Sequence, residues 1–308
     1  MKKGLVYRST GSWYSVESDG CFYACRIKGK LRLKGIKSTN PIAVGDRVWF
    51  EVDENAVEPE GTIVGIEERQ NYIVRKSVNL SKQTHIIASN IDQVFLLITL
   101  HNPPTFTAFI DRFLVTAEAY HIPAVLVFNK MDTCSPEQEN EIDALATIYQ
   151  TIGYKTLKIS ATEGQNIDEI KSMMQGKVSM FSGHSGVGKS TLINAIAPDL
   201  NLKTAALSDQ HQQGIHTTTF AEMFAFPNGM KLIDTPGIKG FGVVDMQPDE
   251  IGNYFPEFTP LRSACKFHNC MHQNEPQCAV IEAFENGIVA ESRYQNYLQM
   301  LETDSTYR

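Results

Sequence analysis

The stretch GHSGVGKST, from Gly183 to Thr191, leaves this chain few folds to choose from. Gly183, His184, Ser185, Gly186, Val187, Gly188, Lys189 and Ser190 satisfy the pattern G-x-x-x-x-G-K-[ST], and Thr191 follows. The apolar run VSMF before it reads as a strand, and STLINAIA after it reads as a helix. Glycines let backbone N–H groups approach phosphate oxygens, and the helix N-terminus adds its positive dipole. Lys189 is expected to reach β- and γ-phosphates, and Ser190 to ligate Mg²⁺. Such a loop needs a parallel sheet behind it.

Three further motifs end predicted strands. DTPG, at 234–237, follows KLI; Asp234 can hold the Mg²⁺ shell through water, and the Gly237 N–H can meet a γ-phosphate. NKMD follows AVLVF and comprises Asn129, Lys130, Met131 and Asp132. The Asp132 carboxylate can accept from guanine N1–H and N2–H₂, which adenine does not present, while Asn129 can hold the loop and contact N7. SAT, at 160–162, follows TLKI, so Ser160 and Ala161 border the same base, with the Ala161 N–H aimed at O6.

The chain order is NKMD, SAT, GHSGVGKS, HTTT, DTPG. GTPases usually carry the phosphate loop and DTPG first. A circular permutation keeps every contact if the old termini were close. GIHTTTF, at 214–220, lies where a first switch belongs. Thr218 or Thr219 is the expected Mg²⁺ ligand there, with Thr218 preferred, in a polar segment that should move without nucleotide. Ile238 stands directly after DTPG, where Ras-like enzymes place a water-orienting Gln. His216 is the candidate to replace it.

The remaining pattern suggests three domains, at 1–70, 71–245 and 246–308. In the first, SWYSVE, FYACRIK, KLRLKG, DRVWFEV and GTIVGIEE read as five short strands of an OB-type barrel. Trp13, Tyr14, Phe22 and Tyr23 are candidate stacking residues for RNA. Cys21 and Cys25, four apart on one strand, read as core. The second domain alternates strand and helix in a doubly wound parallel sheet, with VFLLITL and AVLVFN as buried strands and a helix within FTAFIDRFLVTAEAYHI. The third is helical and carries CKFHNCMHQNEPQC, at 265–278. Cys265, Cys270 and Cys278 with His272 or His268 form a Cys₃His set suited to a closed, structural Zn²⁺ site. Residues 1–8 and 303–308 are expected to fray.

Charge is uneven. Residues 1–40 hold nine Lys or Arg against two acids, a balance of +7 in a chain of net −7, which puts −14 on the remainder. A basic end on an acidic chain fits a local anionic partner such as RNA. No apolar run approaches the roughly eighteen residues of a membrane span. The N-terminus has no apolar block or cleavage-like site, so the expected address is the cytoplasm, where six cysteines read as thiols or metal ligands.

A permuted GTPase core with an OB-like barrel before it and a Cys₃His segment after it resembles the RsgA/YjeQ family, the bacterial small-ribosomal-subunit-dependent GTPases. The likeness spans nearly the whole chain. It implies hydrolysis of GTP to GDP and phosphate, stimulated by the small ribosomal subunit, late in that subunit's maturation. It also implies rRNA binding by a monomer, zinc held by Cys265, Cys270, His272 and Cys278, and a switch histidine, proposed as catalytic, at His216. One departure is Ile215, where the family's switch often has Arg. The rival readings are an RNA-binding module that holds nucleotide without turnover, and a nucleotide sensor acting on a protein partner.

Overall fold

In a computed structural model the chain is described at residues 1–27, 41–54, 56–76, 84–198, 221–234 and 246–306. The side chains of Asp234 and of residues 303–306 fall outside that description, as do Ile215, His216, Thr218, Thr219, Gly237, Ile238 and the expected strand KLRLKG. Two compact units result. One comprises Met1–Phe95, Asn166–Phe181 and Ser190–Lys239; the other comprises Leu96–Gln165, Ser182–Lys189 and Gly240–Arg308.

The first unit begins with a closed five-stranded barrel of β1 (Lys2–Ser9), β2 (Tyr14–Ser18), β3 (Cys21–Ile27), β4 (Arg47–Val52) and β5 (Glu60–Ile66), in the order β1-β2-β3-β5-β4 with β4 returning to β1. The β3–β5 pair is parallel and the other barrel pairs are antiparallel. The expected fraying of residues 1–8 is wrong. Val6 and Tyr7 are buried, and β1 is bonded to strands on both sides. Its basic start hid a strand, one of whose partners, β4, lies far along the chain. Alternation along β2 buries Tyr14 and Val16, which pack with Val6, Cys25, Ile42, Val48, Phe50 and Ile63. Tyr14 is thus core and unavailable for stacking. Cys21, expected in the core with Cys25, is exposed, because it sits at the strand end beside the Asp19–Gly20 turn.

A hairpin of β6 (Tyr72–Lys76) and β7 (Thr84–Ser89) precedes the strand–helix alternation. It is tied to the barrel, with Ser89 N donating to Val44 O at 2.9 Å. Asp46, wholly buried, accepts from Arg69 Nε at 2.7 Å and Ser89 Oγ at 2.6 Å. This pins the loop before β4.

The alternation then runs β8 (Gln93–Ile98), α1 (Thr107–Ala119), β9 (Ala124–Phe128), α2 (Pro136–Ile152), β10 (Lys155–Lys158), α3 (Ile167–Met174), β11 (Val178–Ser182), α4 (Lys189–Ile196), β12 (Glu222–Ala225) and β13 (Lys231–Asp234). Every residue of β8 is buried, as continuous apolar runs in parallel sheets require. β9 pairs in parallel with β10, and β11 with β13. The sheet is not purely parallel, because β12 turns back on β13 as a hairpin and also meets β1 through Arg8 and Glu222. α2 starts with a capping box, Ser135 with Gln138, and ends at Gly153.

The C-terminal segment holds α5 (Pro248–Ile251), α6 (Thr259–Arg262), α7 (Ala279–Glu285) and α8 (Glu291–Thr306). Within the second unit α8 is joined to α1 by buried charge. Arg293 is fully buried and donates to Asp111 Oδ1 at 2.7 Å and to both oxygens of Glu257. Asn296 and Tyr149 complete the Asp111 shell at 2.6 and 2.8 Å. Burial pushes Asp111 up from the ordinary carboxylate range, while Arg293, Asn296 and Tyr149 act against that rise. Removing one partner strands a buried charge. Arg293→Ala is therefore expected to cost about 3–5 kcal/mol of unfolding free energy in a denaturant titration, with Arg293→Met costing less.

Candidate nucleotide site and cysteine–histidine cluster

The phosphate loop and the NKMD segment meet in the second unit. β9 ends at Phe128, and the Asn129 N–H donates to Ile98 O at 2.8 Å, which sets the loop at the strand's carboxyl end. Asn129 is 4% exposed, and its side chain makes two bonds: Nδ2 donates to Val187 O at 2.8 Å, and Oδ1 accepts from Ala161 N at 3.0 Å. One carboxamide thus joins the NKMD, SAT and GHSGVGKS segments. It leaves Gly188 no room for a side chain, since a Cβ there would collide with Asn129 Nδ2 at a backbone φ of +97°.

Lys130 adopts left-handed backbone, with φ 67°, and its Nζ donates to Asn102 O at 2.7 Å. That conformation is costly for a residue with a Cβ and is held here by its surroundings. Met131 is buried and Asp132 is exposed, with Oδ1 accepting from the buried Ser160 hydroxyl. Ser160 Oγ also accepts from Glu163 N at 3.0 Å. The Ala161 N–H, which sequence reasoning aimed at guanine O6, lies on Asn129 Oδ1.

In the phosphate loop Lys189 Nζ donates to Gly183 O at 2.6 Å and His184 O at 2.7 Å. Gly183, at φ +139°, stands where a Cβ would lie 2.6 Å from Leu97 O. Ser185 and Gly186 are exposed, Val187 is buried, and Ser190 and Thr191 lie in the first turn of α4. Burial and the Lys189 charge lower the His184 pKa, which favours a neutral ring. Asp234 ends β13. Sequence reasoning missed the loop before α1, which carries Asn102; it has no motif of its own.

Three cysteines and a histidine converge in the same unit. Ligand atoms of Cys265, Cys270, His272 and Cys278 all lie within 4.8 Å of one another. His272 Nδ1 is 3.2 Å from Cys278 Sγ and 3.7 Å from Cys265 Sγ, and the Cys265 and Cys278 sulfurs are 3.9 Å apart. Tetrahedral Zn–S bonds of about 2.3 Å put neighbouring sulfurs about 3.8 Å apart, so the four side chains fit such an ion. His268 is exposed and outside the cluster. Burial pushes the Cys270 thiol up to about 12 and raises Cys278, so thiolates here call for a cation. The loop is braced from α8, where the Tyr294 and Tyr297 hydroxyls donate to His272 O and Met271 O at 2.7 and 2.6 Å. Glu275 accepts from the N–H groups of Met271 and Gln273.

Known proteins share this arrangement. A profile described as RsgA GTPase matches residues 66–244, and one described as RsgA N-terminal domain matches residues 3–63. A Christiangramia forsetii protein named Small ribosomal subunit biogenesis GTPase RsgA is 63% identical, the match covering 99% of this chain and 98% of that protein. A Bacteroides thetaiotaomicron protein, named Small ribosomal subunit biogenesis GTPase RsgA 2, is 54% identical over 97% of this chain and 96% of its own. The crystal structure of YjeQ from Thermotoga maritima superposes with a TM-score of 0.82 at 36% identity, covering 100% of this chain and 99% of that one. YloQ, described as a circularly permuted GTPase, gives 0.79 at 29% identity, covering 100% and 96%. The order of the motifs, the bonds that join them and these likenesses agree: the chain belongs to the RsgA family of circularly permuted GTPases.

Proposed function

We propose that the protein acts in biogenesis of the small ribosomal subunit, hydrolysing GTP to GDP and phosphate when docked on that particle. The observation that carries this is the Asn129 side chain, which holds the base-reading and phosphate-gripping loops together despite their rotated order. In this reading Asp132 accepts from guanine N1–H and N2–H₂, and Gly183–Thr191 wrap the phosphates. Lys189 neutralises β- and γ-oxygens, with Mg²⁺ held by Ser190 and Thr218 and, through water, by Asp234. The Gly237 N–H meets the γ-phosphate. Because Ile238 cannot orient water, His216 takes that role once the particle orders the switch. GTP favours the docked state and GDP favours release, which requires different affinities in the two nucleotide states.

The barrel is the proposed rRNA contact. Its support is the pairing of aromatics with cations: the Arg26 guanidinium lies 3.7 Å from the Trp13 ring centroid, Lys3 Nζ lies 4.4 Å from that of Trp49, and Lys2 Nζ donates to Tyr23 OH at 3.2 Å. Phe22 is 52% exposed. Such pairs suit phosphate contact and base stacking together. In this reading the domains run 1–70, 71–245 and 246–308. Zn²⁺ is the proposed occupant of the Cys₃His cluster, where it would fix the fold of the loop. A monomer working in the cytoplasm completes the reading; among the described residues no helix is long and apolar enough to cross a membrane.

Four outcomes are expected. Phosphate release from GTP is slow for the protein alone and rises many-fold with small, but not large, ribosomal subunits. His216→Ala lowers the stimulated rate about 10²-fold or more while GTP affinity holds; an undiminished rate removes His216 from the chemistry. Asp132→Asn weakens GTP binding roughly 10- to 150-fold, the worth of one charged hydrogen bond of about 1.5–3 kcal/mol, and improves binding of xanthosine triphosphate. Elemental analysis finds one zinc per chain, which Cys278→Ser loses together with part of the thermal stability; full zinc retention in that variant contradicts the ligand set.

A further inference from the structure

The phosphate loop is braced from outside its own motif. Phe109, in the first turn of α1, lays its ring against that of His184, with centroids 3.9 Å apart and planes 35° from parallel. His184 is exposed and makes this contact from the second position of the motif. Its carbonyl receives the Lys189 ammonium at 2.7 Å. Whatever holds the His184 ring therefore also holds the peptide that aims Lys189.

A brace must itself be fixed. Two residues after Phe109, Asp111 is wholly buried and bonded to Arg293, Asn296 and Tyr149. The chain just before α1 also runs close to the loop, since a Cβ placed on Gly186 would stand 3.4 Å from the Pro103 ring. Asn102 O takes the Lys130 ammonium. The segment from Asn102 to Phe109 thus touches the loop at His184 and passes close to Gly186, and its far side is clamped.

We propose that Phe109 is a positioning residue for the GTP phosphates. Its ring fixes His184, and the His184 carbonyl orients the Lys189 ammonium toward the β- and γ-oxygens. The proposal rests on the nucleotide reading given above and adds to it a residue outside every nucleotide motif.

The test compares affinities for GTP and GMP by competition against a fluorescent GDP analogue. GMP lacks the phosphates that Lys189 meets, so the GTP-to-GMP ratio isolates the effect. Phe109→Ala and His184→Ala are each expected to lower that ratio about threefold to tenfold, the worth of one aromatic contact. The double variant should lose no more than either single one, because both remove the same contact. Phe109→Tyr should keep the ratio, and GMP affinity should not move. An unchanged ratio, an equal loss for GTP and GMP, or additive single effects overturns the proposal. If Phe109→Ala fails to fold, the exposed His184→Ala with Phe109→Tyr carries the same test. Failure of the unaltered protein to bind guanine nucleotides overturns the underlying reading instead.

Discussion

The candidate nucleotide site depends on the carboxamide of Asn129. It gives a hydrogen bond to Val187 O and takes one from Ala161 N, while its own backbone N–H is fixed on Ile98 O. These partners are backbone groups of the loops that follow β11 and β10 and of the last residue of β8. A buried amide with so few alternatives would cost free energy in any other arrangement. The bonds need only that the loops stand side by side at the carboxyl ends of their strands. They are indifferent to the order in which the chain visits those loops. This is the physical reason a rotated order can build the same site, and why Gly188 has no Cβ.

A second constraint joins the C-terminal segment to the strand–helix core of its unit. α8 presents Arg293, Tyr294, Asn296 and Tyr297 to buried partners. Arg293 and Asn296 reach Asp111 on α1, while the two tyrosines hold the carbonyls of the Cys₃His loop. Val115 of α1 belongs to the same apolar cluster as Phe255, Phe258, Val280 and Tyr297. Such an ion pair contributes little net stability after desolvation, but it penalises any other register of α1 against α8. One helix thus relates the Cys₃His loop to the residues that border the phosphate loop.

In the other unit the barrel is continuous with nucleotide-domain strands through β1 and β12, and a buried Asp46–Arg69 pair fixes the loop that enters β4. β12 leads into β13, which ends at Asp234. The strand that carries Lys2 and Lys3 is therefore bonded to a hairpin that ends at a proposed Mg²⁺-shell residue.

Local chemistry determined much of this protein in the sequence itself. Glycine spacing, strand-end placement and ligand type identified the phosphate loop, NKMD, SAT and the Cys₃His set, because each needs particular residues at short, regular spacing. The wholly buried β8 and the helix periodicity of α1 were legible for the same reason. Other features were decided only by tertiary structure. β1 looked like a basic tail until β2, β4 and β12 bonded it. Cys21 shared a strand face with Cys25 yet lay exposed at the strand end beside the Asp19–Gly20 turn. Arg293, Asp111 and Phe109 read as ordinary helix residues, since their partners lie up to 185 positions away in the chain. Pairings across such separations leave no periodic trace, so only the folded arrangement could assign them.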